Sequence, residues 1–251
     1  MAKIIAIHSY RGGTGKSNLT ANLAVAIARH GFRVAVVDTD LQSPGIHVLF
    51  QFEETSHQLT LNDFLWGRHA ISETAYDVSA IASIAEPGHL FLVPASMNPD
   101  YIARILSEGY SVSLLSEGFR RLIRDLQLDY LLIDTHPGLS KETLLSIGIS
   151  TVLLLILRPD HQDFQGTAVT IDVARQLKVR KLMLVLNKAL PKMDFEALQD
   201  KIERIYSIPV AGIFPLSEDM IQLGSSGLFC LHHPDHLFTQ ALNRVAAQLM
   251  T

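Results

Sequence analysis

Residues 8–18 of the chain read His8-Ser9-Tyr10-Arg11-Gly12-Gly13-Thr14-Gly15-Lys16-Ser17-Asn18. The apolar run Ile4-Ile5-Ala6-Ile7 before this segment predicts a buried strand, and Leu19 to His30 after it predicts a helix. A glycine-rich loop between a strand and a helix is suited to phosphate. Its backbone N–H groups can turn towards an anion, and the helix N-terminus adds a positive dipole end. We therefore predict a phosphate-binding loop here.

The expected roles within this loop follow from residue type. Lys16 would reach the β- and γ-phosphates of a nucleotide, and the Ser17 hydroxyl would ligate Mg²⁺. The usual phosphate-loop pattern has a glycine where this chain has Tyr10. The alternative is a glycine turn followed by a surface lysine. The residues expected to contact the nucleotide are Gly12, Gly13, Thr14, Gly15, Lys16, Ser17 and Asn18.

Length and composition limit the protein class. The chain has 251 residues, which suits a single domain spanning residues 1–251, and a formal net charge of −4, which does not suit a protein that coats nucleic acid broadly. Cys230 is the one cysteine, so an intramolecular disulfide framework and a Cys-x-x-Cys metal site within one chain are excluded. The sequence begins without a basic-then-apolar leader, and we expect a cytoplasmic protein.

Short apolar runs alternate with helical patterns along the chain, which predicts an α/β fold with a predominantly parallel, twisted sheet and helices on both faces. Residues 41–51 are expected to form a loop, and a helix is expected from Gln165. Residues 51–88 are expected to be an insertion over the sheet edge, with a short helix from Leu61 capped by Thr60.

Acidic side chains follow two of the predicted strands. Asp38 and Asp40 end one strand and can face a magnesium–phosphate centre, although a solvated loop pair is the alternative. Asp134 ends the apolar strand Leu131-Leu132-Ile133, an arrangement in which the carboxylate holds Mg²⁺, often through water. Ligands of parallel sheets bind beyond the carboxyl ends of the strands, which is where these residues fall.

Two motifs resemble those of the ParA/MinD ATPases. Arg11-Gly12-Gly13-Thr14-Gly15-Lys16-Ser17 resembles their deviant phosphate loop, Lys-Gly-Gly-x-Gly-Lys-Thr/Ser. The segment Asp134-Thr135-His136-Pro137-Gly138 resembles their Asp-x-Pro-Pro-Gly switch, with His136 in place of the first proline. The resemblance implies a P-loop NTPase fold and an ATPase that uses ATP, ADP and Mg²⁺, with slow, partner-stimulated hydrolysis.

The resemblance also implies roles for individual residues. Asp40 would position the attacking water, with Asp38 supporting it and the metal shell. Gly138 would offer its N–H to the γ-phosphate and move on hydrolysis. Asn187 would read the adenine edge, and Pro215 would flank the base; for Asn187 the alternative is a turn residue at a strand end. His136 is disfavoured as a general base because phosphoryl transfer depends on positioning and charge neutralisation.

Arg11 stands where the family has its first lysine, which reaches across a dimer to the partner's nucleotide. The resemblance implies that Arg11 acts catalytically in the same way, and arginine can do so as a bidentate, permanently charged group. The alternative is that Arg11 covers its own loop or pairs with an acidic neighbour.

The function that the resemblance implies is an ATP-gated homodimer that positions or partitions cargo. It would act with an adaptor or activator protein on non-specific DNA or a membrane surface, and so associate with the nucleoid or the membrane. The alternatives are a regulatory ATP sensor that binds a partner protein, and a metallochaperone or cofactor-maturation ATPase of the same fold. Arg244 is the one Lys or Arg in the terminal helix, so core packing is favoured there over membrane binding.

Overall fold

Strands and helices alternate in the computed structural model, which describes residues 2–55 and 58–251. Within these residues the strands are β1 (Lys3–His8), β2 (Arg33–Asp38), β3 (Tyr76–Asp77), β4 (His89–Val93), β5 (Tyr130–Asp134), β6 (Val152–Leu157), β7 (Lys181–Ala189) and β8 (Val210–Pro215). The helices are α1 (Lys16–Ala28), α2 (Ile46–Leu49), α3 (Leu61–Leu65), α4 (Pro99–Glu108), α5 (Val112–Asp125), α6 (Lys141–Ile149), α7 (His161–Gln176), α8 (Phe195–Tyr206), α9 (Glu218–Leu223), α10 (Phe229–His232) and α11 (Leu237–Met250).

The strands form one sheet in the order β3-β4-β2-β5-β1-β6-β7-β8. Every neighbouring pair is parallel except β3, which runs antiparallel to β4 at the edge. β5 and β6 are buried along their whole length, as expected for parallel strands with helices on both faces. The predicted fold class is confirmed.

Successive residues of a strand enter different cores because their side chains alternate between the two faces of the sheet. Ile5 and Ile7 of β1 pack in the core beneath α1 and α11, whereas Ala6 packs in the core beneath α6, α7 and α8. A third cluster covers β2, β4 and β5 with α3, α4 and α5. The central strands are therefore fixed from both sides.

The terminal helix α11 belongs to the core, as predicted. Its apolar stripe is buried beside α1 and β8, and its members are Phe238, Ala241, Leu242, Val245, Ala246 and Leu249. None of the helices in the described part of the chain is long and apolar enough to cross a membrane.

The structure differs from the prediction in several elements, among them the short helices α9 and α10, which the sequence analysis does not predict. Residues 41–51 contain the one-turn helix α2, and the insertion contributes the two-residue edge strand β3. Both are too short for a periodic pattern.

α7 begins at His161 rather than Gln165, because the Asp160 side chain accepts the N–H of Asp163 as an N-cap. The predicted cap at Thr60 is confirmed: the N–H of Thr60 donates to the Asp63 carboxylate at 2.9 Å.

The insertion packs against α5 at a glycine of that helix. A Cβ atom added to Gly118 of α5 would lie 2.5 Å from Cζ of Phe64 and 3.1 Å from Cδ1 of Ile71. We predict that Gly118→Ala lowers the free energy of unfolding by about 1–3 kcal/mol, because the added methyl overpacks this contact.

Gly148→Ala is the matched control, measured by denaturant unfolding in parallel. A Cβ at Gly148, on the exposed side of α6, would meet nothing within 4 Å. This change should be neutral or stabilising by up to about 1 kcal/mol through helix propensity. Equal effects of the two changes would show that Gly118 has no packing role.

Candidate functional site

Polar residues meet at the carboxyl ends of the central strands. The register places Asp38 of β2 opposite Asp134 of β5, and Asp134 opposite Ile7 of β1. A cavity of about 320 Å³ opens beside these strand ends. Its lining consists of Ser9, residues 12–18, Asp40, Ser43, His136 and Pro137.

The glycine-rich loop presents free backbone donors to this cavity. Among the described residues, the N–H groups of residues 12–18 make no hydrogen bond. α1 begins at Lys16, so its positive dipole end also faces the cavity. Gly13 and Gly15 have φ values of 76° and 89°, which favour glycine. The loop therefore has the form of an anion cradle.

β7 anchors the loop from one side. Nδ2 of Asn187 donates to the carbonyl of Thr14 at 2.7 Å, and Nζ of Lys188 donates to the carbonyl of Gly13 at 2.8 Å. Oδ1 of Asn187 accepts the N–H of Lys188. A Cβ at Gly15 would collide with the Asn187 amide, so the glycine is required for this close approach. Asn187 lies within β7 rather than in a turn.

α7 supports the loop from the other side through Tyr10. The tyrosine ring lies directly over Gly166, where a Cβ atom would overlap Cγ and Cδ1 of the ring. Tyr10 replaces the glycine of the usual loop pattern, and Gly166 on the neighbouring helix leaves the space that the tyrosine ring needs. Sequence reasoning identified Tyr10 as a departure but could not find Gly166.

Lys16 and Asp134 form a buried ion pair in the middle of the site. Nζ of Lys16 lies 2.9 Å from Oδ1 of Asp134, with the two side chains 7% and 1% exposed. Oγ1 of Thr20 donates to the same oxygen at 3.1 Å. The surface-lysine alternative is therefore wrong. The ammonium supplies the positive charge that a buried carboxylate needs.

Asp38 organises the segment that follows β2. Its Oδ1 accepts the N–H of Asp40 at 3.0 Å, and its Oδ2 accepts the N–H of Gly45 at 3.2 Å. The side chain is fully buried, and burial together with the charge of Asp134 raises the pKa of Asp38. The alternative of a solvated pair is wrong for Asp38. Its predicted metal and catalytic roles stay predictions.

Asp40 faces the cavity and is held by two donors. Its Oδ1 accepts the N–H of Ser43 at 3.1 Å and lies 2.6 Å from Nδ1 of His136. The contact joins the segment after β2 to the segment after β5. Sequence reasoning placed both residues near the site but missed that they touch.

His8, the last residue of β1, contacts Thr135, the first residue after β5. Its Nδ1 lies 2.8 Å from Oγ1 of Thr135, which donates its own proton to the carbonyl of Ile7 at 3.0 Å. Nδ1 must therefore carry a proton and donate it. Burial, followed by the charges of Lys16 and His136, lowers the pKa of His8 to about 3, so the ring is neutral. Sequence reasoning assigned His8 no role.

Arg11 pairs with acidic residues of its own chain. Its Nη1 lies 3.8 Å from Asp160 and 3.6 Å from Asp163. Asp163 is already bound by the Arg158 guanidinium through two hydrogen bonds of 2.9 and 3.1 Å and by the Arg158 backbone N–H at 2.9 Å, so Arg11 is its second cation. The side chains of Arg11 and Asp160 are both 41% exposed, and an exposed pair of this kind contributes about 0–1 kcal/mol, whereas the Asp163 carboxylate is buried.

The remaining predicted residues lie around the loop. Gly138 has a φ of 83°, and its N–H donates to the carbonyl of Ser9 at 3.3 Å. Pro215 and Asn187 line a second cavity of about 300 Å³, which shares Gly15 and Asn18 with the first. The adjoining cavities are suited to a ligand with an anionic end and a less polar end.

Comparison with known proteins places these features in a family. A family model described as the CobQ/CobB/MinD/ParA nucleotide binding domain matches residues 5–229. An uncharacterized ATP-binding protein of Methanocaldococcus jannaschii is 29% identical over 100% of this chain and 88% of its own length. An iron-sulfur cluster carrier protein of Deinococcus radiodurans is 26% identical over 98% of this chain and 68% of its own length.

Solved structures have the same fold. The cell division ATPase MinD of Pyrococcus furiosus superposes with a TM-score of 0.82 at 22% identity, covering 100% of this chain and 99% of that one. The septum site-determining protein MinD of Pyrococcus horikoshii, complexed with Mg-ADP, gives 0.81 at 21% identity, covering 99% and 96%. A chain of the MinC:MinD cell division protein complex of Aquifex aeolicus gives 0.78 at 20% identity, covering 99% and 96%.

The contact between Tyr10 and Gly166 gives a prediction for the loop. Gly166→Ala should lower the free energy of unfolding by about 1–3 kcal/mol, because the new methyl displaces the ring. In a Tyr10→Gly background the same change should cost little, since the ring atoms and Cβ of residue 10 that overlap the new methyl are all gone. Denaturant unfolding of the four proteins measures both values. An equal cost in the two backgrounds would show that Tyr10 does not rest on Gly166.

Proposed function

This chain belongs to the CobQ/CobB/MinD/ParA family of nucleotide-binding domains, and from that premise we propose that it is a Mg²⁺-dependent ATPase whose ATP-bound form dimerises as a positioning switch. The observation that carries the proposal is the loop of residues 12–18, which leads into the first turn of α1. The N–H groups of these residues make no hydrogen bond among the described residues. Such a set of donors fits a chain of phosphates.

The phosphates of the nucleotide would bind in one cavity and its base in the other. Phosphates in the first cavity would meet the loop N–H groups and Lys16, and the base would enter the second, beside Pro215 and Asn187. Oδ1 and one N–H of Asn187 are already engaged, which leaves its second N–H for an acceptor on a purine edge.

The residues present fit Mg²⁺. Ser17 offers a hydroxyl at the cavity, and the Asp134 carboxylate ends β5 beside it, so these two residues would hold the ion directly or through water. Bound there, Mg²⁺ would supply charge neutralisation on the β- and γ-phosphates. Lys16 would exchange the Asp134 carboxylate for phosphate oxygens. Asp38 would act by holding the segment that carries Asp40, through its bonds to backbone N–H groups.

Asp40 would orient water for hydrolysis. Its carboxylate lines the phosphate cavity and is 13% exposed, so a water molecule beside the terminal phosphate can reach it. Orientation of water by a carboxylate, with the phosphate charge held by surrounding donors, is sufficient for slow phosphoryl transfer to water. For Gly138 to contact the γ-phosphate, its N–H would have to leave the carbonyl of Ser9, and loss of the phosphate would let it return.

Arg11 would complete the neighbouring subunit's site in the dimer. Its present pairing with Asp160 and Asp163 is the alternative that the sequence left open, and it describes the single chain. The pair with the exposed Asp160 holds the arginine weakly, and the buried Asp163 keeps Arg158 when Arg11 leaves. The trans role is therefore compatible with these contacts.

An adaptor or activator protein would bind the ATP-bound dimer. The Aquifex aeolicus MinC:MinD complex is a precedent of the same fold. Non-specific DNA and a membrane surface are both proposed as the surface on which the dimer acts. With α11 packed in the core, a membrane-bound form would need a contact other than that helix.

The similarity to an iron-sulfur cluster carrier favours a second candidate function. A cluster held between two subunits would need Cys230, the one cysteine of the chain. That thiol is 3% exposed, and burial raises its pKa to about 11, so it is neither accessible nor a thiolate. The positioning switch is therefore the better proposal.

Lys16→Ala tests the nucleotide site. The change removes the cation that would reach the phosphates, and we expect the affinity for Mg-ATP in titration calorimetry to fall at least about 100-fold. Lys141→Ala, which removes an exposed lysine of α6, is the control and should bind as the wild type does. Retained affinity in a folded Lys16→Ala protein would refute the phosphate-loop assignment.

Arg11→Ala tests the trans role. The variant should bind Mg-ATP like the wild type, yet release phosphate at about a thousandth of the rate, as found for arginine fingers. Wild-type activity per subunit should rise with protein concentration, whereas that of the variant should stay flat. Asp160→Asn removes a partner of Arg11 within its own chain and should keep the concentration dependence. A concentration-dependent, unreduced rate in Arg11→Ala would contradict the role.

A further inference from the structure

We propose that His136 is a positioning residue for hydrolysis, which fixes the carboxylate of Asp40 towards the attacking water. The inference rests on the proposed function, because it needs Asp40 to act on that water. It deepens that function by assigning a task to the position where the family motif has proline and this chain has histidine.

The contact itself is short and shielded. Nδ1 of His136 lies 2.6 Å from Oδ1 of Asp40, and the two side chains are 29% and 13% exposed. Both residues line the phosphate cavity with the loop of residues 12–18. The bond therefore lies beside the position proposed for the terminal phosphate.

The chemistry of the two groups sets the direction of the bond. Oδ1 of Asp40 also accepts the N–H of Ser43, and an oxygen in this acceptor role pairs with a ring N–H, so Nδ1 of His136 is the donor. Both contacts go to Oδ1. The second oxygen of Asp40 makes no hydrogen bond among the described residues, which leaves it for water. Two donors on one oxygen fix the rotation of the carboxylate and so the direction of the other oxygen.

The same bond joins two segments that face the phosphates. Asp40 lies two residues after the end of β2, and His136 lies two residues after Asp134, the last residue of β5. The carbonyl of His136 accepts the hydroxyl proton of Thr143 at 3.3 Å, which ties the segment to α6. A displacement of the β5 segment would therefore move the carboxylate of Asp40. A misplacement of about 1 Å at a reacting group can cost 100-fold in rate.

The test compares three variants at position 136 in steady-state ATP hydrolysis. His136→Ala removes the donor and should lower kcat by about 10- to 100-fold, with KM for ATP within about twofold, because the loop and Lys16 still bind the phosphates. His136→Asn keeps an N–H near the position of Nδ1 and should recover most of kcat. His136→Gln carries its N–H further out and should recover less. His30→Ala, an exposed histidine after α1, is the control.

A double-mutant cycle separates positioning from general loss of structure. In an Asp40→Ala background, His136→Ala should have no further effect on kcat, since its target is absent. A wild-type kcat in His136→Ala, failure of the Asn variant to exceed the Ala variant, or additive losses in the cycle would overturn the proposal. Asp40→Ala alone with unchanged kcat would instead refute the role of Asp40 in the proposed function. Mg-ATP affinity, measured separately on each variant, shows whether the nucleotide site is intact.

Discussion

The buried ion pair between Lys16 and Asp134 is the interaction on which the site depends. It joins the first residue of α1 to the last residue of β5 at 2.9 Å, with both side chains almost inaccessible. A buried carboxylate or ammonium without its partner costs about 3–5 kcal/mol, so neither residue can leave without a replacement. In the proposed function a magnesium nucleotide would offer that replacement to both: phosphate oxygens for the lysine and a divalent cation for the aspartate. Nucleotide binding would then rearrange the site by exchanging the partners of this ion pair.

The contacts around the ion pair connect it to the chain segments that follow β2 and β5. Thr135, next to Asp134, is bonded to His8, and His136 is bonded to Asp40. Asp38 holds the backbone of the following segment through Gly45. The ends of β1, β2 and β5 are thus connected by hydrogen bonds between side chains as well as by the sheet. A shift at Asp134 would move both segments that face the phosphate cavity.

The sequence was sufficient for features that depend on neighbouring residues. Apolar runs located the central strands, the phosphate loop followed from glycines between a strand and a helix, and Thr60 was identified as a cap from local spacing. Contacts between residues far apart in the chain could not be read in this way. Gly166 is recognisable as the support of Tyr10 only after α7 is folded beside the loop, and the partners of Arg11 lie after β6. The short elements α2 and β3 carry too few residues for periodicity to indicate them.

The molar mass of the wild-type protein in solution tests the ATP-gated dimer most directly. Light scattering should be recorded with Mg-ADP and with Mg²⁺ and a slowly hydrolysed ATP analogue, at equal protein concentration. The proposed ATP-gated switch predicts the mass of one chain, 27.8 kDa, with ADP and twice that mass with the analogue. The same mass in both nucleotides, with both shown to be bound, would contradict the switch.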